Sequence, residues 1–158
     1  MTDRELNIAL REMARNTGLC DEWYNAWSDE STIDECLERY VRGIDFAIKH
    51  DWPPLAFIRR HFRKEDLHRH HIYIDEEVDI NGENGYYVFL GKCTGRLTID
   101  GLYATTVYVR HESHIDVLTA NGAKVFLSYY EHGDGRCEHD GWSRIMTYDR
   151  REKKEGAC

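Results

Sequence analysis

Up to Leu67 the apolar residues recur every three or four positions, and beyond it they alternate, so the chain changes period once. Leu6, Ala9, Leu10, Met13 and Ala14 fall on one helical face. Thr2 and Glu5 stand ahead of them at capping-box spacing, and Gly18 stands where such a helix would end. Thr32 and Glu35 repeat the capping spacing before a second stripe, Ile33, Leu37, Tyr40, Ile44 and Ile48. Asp51-Trp52-Pro53-Pro54 stops that stripe, because a residue before proline is pushed out of the α region. Pro54 then suits the first turn of a short helix that turns Leu55, Ile58 and Phe62 inward. These signals predict a helical region over 1–67.

The second part repeats a small unit of two apolar residues flanking a third: Val78/Ile80, Val88/Leu90, Leu97/Ile99, Val107/Val109, Ile115/Val117 and Val125/Leu127. Their first members lie 10, 9, 10, 8 and 10 residues apart, or 19, 19, 18 and 18 taken two steps at a time. Near-constant length is what a coil requires, since each turn must stack on the one beneath to bury its inward side chains. The spacing therefore predicts an α+β chain whose residues 68–149 form a short β-solenoid, right-handed and β-helix-like, with the helical region packed on it or capping it. Asp100-Gly101 and Asn121-Gly122 are also good hairpin turns, so an antiparallel meander or small barrel is the alternative. Beyond Leu127 the beat is lost, and 131–141 reads as a loop around Gly133-Asp134-Gly135. A strand near Ile145–Tyr148 then closes the sheet, for about three turns and a cap, and 150–158 reads as a frayed, charged tail.

Three stretches of the front half carry a resemblance: Trp23 to Trp27, Tyr40-Val41-Arg42-Gly43-Ile44-Asp45-Phe46-Ala47-Ile48, and Asp51-Trp52-Pro53. Together with Val107-Tyr108-Val109-Arg110-His111-Glu112-Ser113 and the rung Gly122-Ala123-Lys124-Val125-Phe126-Leu127, they resemble an uncharacterised family of short bacterial proteins. Members of that family are often associated with mobile elements and join a helical front to "A-x-V-x-V" β-helix rungs. The likeness spans about 20–130 and implies a solenoid behind helices. It implies no activity for any particular residue.

Charge and thiols narrow the function classes. The net charge of −8, from 29 acidic and 21 basic residues spread over both halves, argues against a phosphate-gripping surface, so nucleic acid is an unexpected partner. The N-terminus lacks a signal-peptide pattern, and no run reaches the roughly 20 apolar residues of a membrane span. Five scattered cysteines without a CxxC pair suit reduced thiols and a cytoplasmic location.

The densest chemical stretch is His61…Asp66-Leu67-His68-Arg69-His70-His71, followed by Asp75, Glu76 and Glu77. On an extended segment His68 and His70 point to one face, as a ligand pair would, and His111 or His114 could supply a third nitrogen to zinc or another transition metal. The plainer reading is a polar helix-to-strand junction without a cofactor. Arg110-His111-Glu112-Ser113-His114 reads as a solenoid corner in which Ser113 serves backbone amides and Arg110 pairs with Glu112. Cys137 and His139 read as part of a polar loop. The acids Asp21, Glu22, Asp29, Glu30, Asp34, Glu35 and Glu38 lie among Trp23, Tyr24 and Trp27. They are either helix-start residues beside packing aromatics or a charged binding face.

These readings favour a non-catalytic cytoplasmic interaction or scaffold module. Its interface residues would be Tyr103, Tyr108, Phe126 and Tyr129, and its partner another protein or a second copy. A metal-dependent small-molecule enzyme using His68, His70 and His111 is one alternative. An acidic inhibitor from a mobile element, acting on a host nucleic-acid enzyme, is the other.

Overall fold

A computed structural model of the chain describes residues 1–151, and most of the charged tail lies outside the described residues. The chain divides into two compact units, Met1–His70 and His71–Cys158.

The first unit is helical. Its elements are α1 (Asp3–Thr17), α2 (Asp21–Asn25), α3 (Ile33–Arg42), α4 (Ile44–His50), α5 (Leu55–His61) and α6 (Lys64–Arg69). Both capping boxes form: Thr2 and Glu5 open α1, and Thr32 and Glu35 open α3, each pair exchanging side-chain and backbone hydrogen bonds. The core gathers Leu6, Leu10, Ala14, Trp27, Cys36, Leu37, Tyr40, Ala47 and Trp52. A polar side chain sits among them. Asn7 is fully buried, donates to the Ser28 carbonyl (2.9 Å), and accepts from Trp27 Nε1 (2.7 Å) and Cys36 Sγ (3.1 Å). It thereby joins α1 to the segment before α3 and to α3 itself.

The second unit is a parallel β-solenoid of about four turns. Its strands are β1 (Ile72–Ile74), β2 (Glu77–Gly82), β3 (Gly85–Leu90), β4 (Thr94–Asp100), β5 (Ala104–Val109), β6 (His114–Ala120), β7 (Lys124–Tyr129), β8 (Cys137–His139) and β9 (Arg144–Asp149). Odd-numbered strands form a five-stranded sheet and even-numbered strands a four-stranded one, each strand pairing in parallel with the strand two along. Parallel pairing excludes the antiparallel meander.

From β3 onward the turn is 20 residues long without exception. Gly85 pairs with Thr105, Leu97 with Val117, Val107 with Leu127, Val117 with Cys137 and Val125 with Ile145. The earlier turn is shorter, Ile72 pairing with Val88 and Val78 with Gly95. The apolar-pair spacing gave 18 and 19 because the pairs occupy different places on successive rungs. Val107/Val109 lie one pleat later on their strand than Val125/Leu127 do on theirs. Val88/Leu90 are out of phase altogether: their neighbours Tyr87 and Phe89 enter the solenoid core, whereas Val88 and Leu90 are buried on the sheet's outer side.

Because half a turn is an even number of residues, parity decides direction. Every core residue from Tyr87 to Tyr129 is odd-numbered: Tyr87, Phe89, Cys93, Leu97, Ile99, Val107, Val109, Ile115, Val117, Ala123, Val125, Leu127 and Tyr129. Corners keep the same clock. Gly91, Gly101, His111, Asn121 and Glu131, one every 10 residues, all have positive φ.

The first half of the fourth turn, β8, lies in the segment that reads as a loop, and the second half, β9, is the strand expected near Ile145–Tyr148. β8 continues the register there, but its inward-parity residues Cys137 and His139 are exposed, as is Thr147 on β9. At this end of the stack the inward positions need not be apolar, so hydropathy carried no beat.

Two measurements check this description. Removing residues 104–123 deletes one whole turn and joins Tyr103 to Lys124 in phase. The product should keep its β circular dichroism and a urea midpoint close to that of the parent, whereas removing 104–122 reverses parity beyond the junction and should lower both. In the helical unit, Asn7→Leu leaves the Trp27 N–H buried without its acceptor and should cost about 1–3 kcal/mol in urea unfolding.

Candidate functional site

Two outward surfaces of the solenoid carry side chains with recognisable chemistry. On the five-stranded sheet, even-numbered residues face away from the core. Tyr86, Tyr108 and Tyr130 are spaced 22 residues apart, so each ring sits one outward position beyond the ring on the rung before it. They stack diagonally, with ring centroids 6.3 and 6.4 Å apart and interplanar angles of 12° and 29°. Phe126 and Tyr148 share this outward parity. Tyr86 (44% exposed), Phe126 (38%) and Tyr148 (41%) are the open members of the face. Of the four aromatics expected at an interface, Tyr108 and Phe126 lie here. Tyr103 and Tyr129 carry odd numbers and turn inward: Tyr103 packs against the solenoid core and Tyr129 belongs to it. Tyr86 is a further outward aromatic flanking the apolar pairs, and Tyr130 and Tyr148, which sequence reading missed, complete the face once the phase of the coil is known.

On the four-stranded sheet the outward column is ionic. Arg96 pairs with Asp79 (3.3 Å). His114 stands between two carboxylates, Nδ1 at 2.6 Å from Asp134 and Nε2 at 3.3 Å from Asp116. Glu77, Asp79, Arg96, His114 and Asp116 line a shallow cleft.

The histidines proposed as metal ligands are placed differently from one another. The segment is not extended: α6 runs to Arg69 and His70 caps it, so His68 and His70 do not share a face. His68 is exposed, while His70 Nε2 meets Asp34 Oδ1 at 2.8 Å beside Arg69. The His70 and Arg69 hydrogen bonds hold the Asp34 carboxyl below the usual carboxylate range. His111 is a corner residue whose Nδ1 accepts the Gly91 N–H (3.0 Å). Among the described residues, no group of three or more His, Cys, Asp and Glu side chains is arranged to hold a metal.

The corner around His111 is a ladder of backbone satisfaction. Ser113 is fully buried, accepts from the Cys93 N–H (3.1 Å) and donates to the Gly91 carbonyl (3.0 Å), serving the corner's backbone groups as its sequence position suggests. The expected Arg110–Glu112 pair is replaced. Arg110 is 4% exposed and pairs with Glu131 one turn on (2.8 Å), while Glu112 meets Lys92 one turn back (3.6 Å). The His111 N–H also donates to Glu131 (3.1 Å). Opposite, Asn121 donates to Asp100 (2.6 Å) and its N–H to Asp140 (2.9 Å). Corner amides turned out of the sheets thus find acceptors on the neighbouring turn.

No family model, curated protein or solved structure matches the chain. Among the described residues, no helix is long and apolar enough to cross a membrane.

The Arg110–Glu131 corner has a pH signature. Burial alone would raise the Glu131 carboxyl, but the Arg110 guanidinium and the His111 N–H outweigh burial and hold it below its ordinary value. A carboxyl lowered in the folded state contributes stability that is present above its unfolded pKa and lost as pH falls through the folded one. Glu131→Gln should therefore lower the urea midpoint at neutral pH, and the two proteins should converge below about pH 4. A difference that stays constant across that range would contradict the assignment.

Proposed function

We propose that the protein is a non-catalytic interaction module whose outer aromatic face, on the five-stranded sheet, docks another protein. The observation that carries this reading is the set of exposed rings, Tyr86, Phe126 and Tyr148, alongside the stacked tyrosines. Their backbone is fixed by parallel pairing on successive turns, so little ordering entropy opposes contact. Tyrosine and phenylalanine are enriched at interface centres because they bury large areas with few rotatable bonds. The cysteines among the described residues, Cys20, Cys36, Cys93 and Cys137, are all unpaired, which supports action in a reducing compartment such as the cytoplasm. A helical front joined to parallel rungs also supports kinship with the short bacterial proteins that the sequence resembles.

Charge mimicry has weaker support. Asp21, Asp29 and Glu30 each hold an arginine of α1, and Asp34 holds Arg69, which leaves less unmatched charge on that face.

The test is capture of partners by the wild-type chain and by a Tyr86→Ser/Phe126→Ser/Tyr148→Ser variant, matched by circular dichroism. A partner on the aromatic face should be retained by the wild type at 0.5 M salt (about a 4–5 Å Debye length) and lost by the variant. Retention by both would place the contact elsewhere, and loss by both at high salt would favour charge mimicry.

A further inference from the structure

The helical unit contains a cavity of about 320 Å³ that the aromatic-face reading does not use. Its walls come from the end of α1 and the link after it (Ala14, Gly18, Leu19, Cys20), from Trp23 and Trp27, from Arg39 and Gly43, and from Phe46 and Trp52. Every one of these residues belongs to Met1–His70. The volume lies at the small end of the range for ligand sites.

The walls are built from ring faces and edges. Trp27 and Trp52 meet edge-to-face (5.9 Å, 81°), and Phe46 meets Trp52 in the same manner (6.0 Å, 66°). Ala14, Gly18 and Gly43 are too small to fill the space between them. Trp23 is exposed at the mouth, and Cys20 beside it is exposed as well.

Arg39 is the one charged residue in this lining. Its guanidinium lies over the Trp27 ring at 5.2 Å, and among the described residues it donates to neutral oxygens, Ser31 Oγ (3.2 Å) and the Ala26 carbonyl (3.4 Å). Glu35, a carboxylate that its charge reaches, is engaged in the Thr32 capping box. A guanidinium has five N–H donors in a planar fork that matches a carboxylate, so donors are left over. An aromatic cage would otherwise suit a cation, but a fixed arginine in the wall repels one and attracts an anion.

We infer that this cavity binds a small planar organic acid, its ring system lodged among Trp23, Trp27, Phe46 and Trp52 and its carboxylate on Arg39. The apolar walls supply burial and the guanidinium supplies orientation and the preference for an anion.

The probe is 1-naphthoate, with uncharged 1-naphthamide as its isostere, titrated calorimetrically into the full chain. Naphthoate should bind saturably and about tenfold or more tighter than the amide, a difference of about 1.4 kcal/mol. Arg39→Gln should bring naphthoate down to the level of the amide and leave the amide unchanged. In a second measurement, naphthoate should slow iodoacetamide labelling of Cys20 and leave Cys137, which is not in the lining, labelling at its usual rate. Equal binding of acid and amide overturns the inference, as does Cys20 labelling that naphthoate does not slow. If Arg39→Gln fails to fold, the acid–amide comparison and Cys20 protection in the wild type still decide it. The inference is independent of the proposed partner face, since that face lies in the other unit.

Discussion

The constraint on which the solenoid depends is equal turn length. In a parallel stack each strand finds its hydrogen-bond partners on the turns before and after it. A change in turn length that a corner does not absorb would shift the register, and a shift of one residue would send every side chain to the other face. From β3 onward the chain meets this condition with turns of 20 residues, and corners of positive φ at Gly91, Gly101, His111, Asn121 and Glu131 mark each half-turn. His111 and Glu131 accept a backbone conformation that suits glycine better. Both give their side chains to hydrogen bonds between turns, which offsets that strain.

That geometry also divides the surface by chemistry. Residues two apart on a strand share a face, and residues 20 apart are stacked neighbours, so rows and columns of like character arise across distant parts of the sequence. The tyrosine diagonal, the ionic column through His114 and the corner ladder through Ser113 are each such arrangements. The helical unit is organised differently, by a buried polar hub. Asn7 satisfies the Trp27 indole and the Cys36 thiol within an otherwise apolar core, and Trp52 Nε1 finds the Leu10 carbonyl at 3.0 Å.

What could be read from the sequence followed from which features hydropathy and turn chemistry record. Both capping boxes and the change of period were visible because they are local. The solenoid was visible as a beat, but its phase was not. Val88 and Leu90 are as apolar as core residues while facing outward, and Tyr87 and Phe89 took the inward positions. The β8 half of the fourth turn escaped notice because Cys137 and His139 occupy inward parity without being buried, whereas β9 was legible as the strand near Ile145–Tyr148. His68 and His70 were placed on one face by assuming an extended segment where α6 persists. Asn7 had a signal, a polar residue on an otherwise apolar helical stripe, that composition-level reading passes over. Trp23, Trp27 and Trp52 stood out as residues, but a cavity between them is a property of packing that no spacing reveals.

The polar last turn has a consequence for how the stack ends. Among the described residues, β8 and β9 have no strand beyond them, so they present the kind of edge that templates further strands. Polymerisation from that edge would need more than hydrogen-bonding groups; it would need a dry interior to extend. Beside Ile145, Cys137, His139 and Thr147 offer an incoming copy polar or reactive side chains at inward positions that the earlier turns fill mostly with leucine, isoleucine and valine. Growth past the described turns is thus opposed by side chains and not by the backbone, and apolar replacements at these positions should favour it.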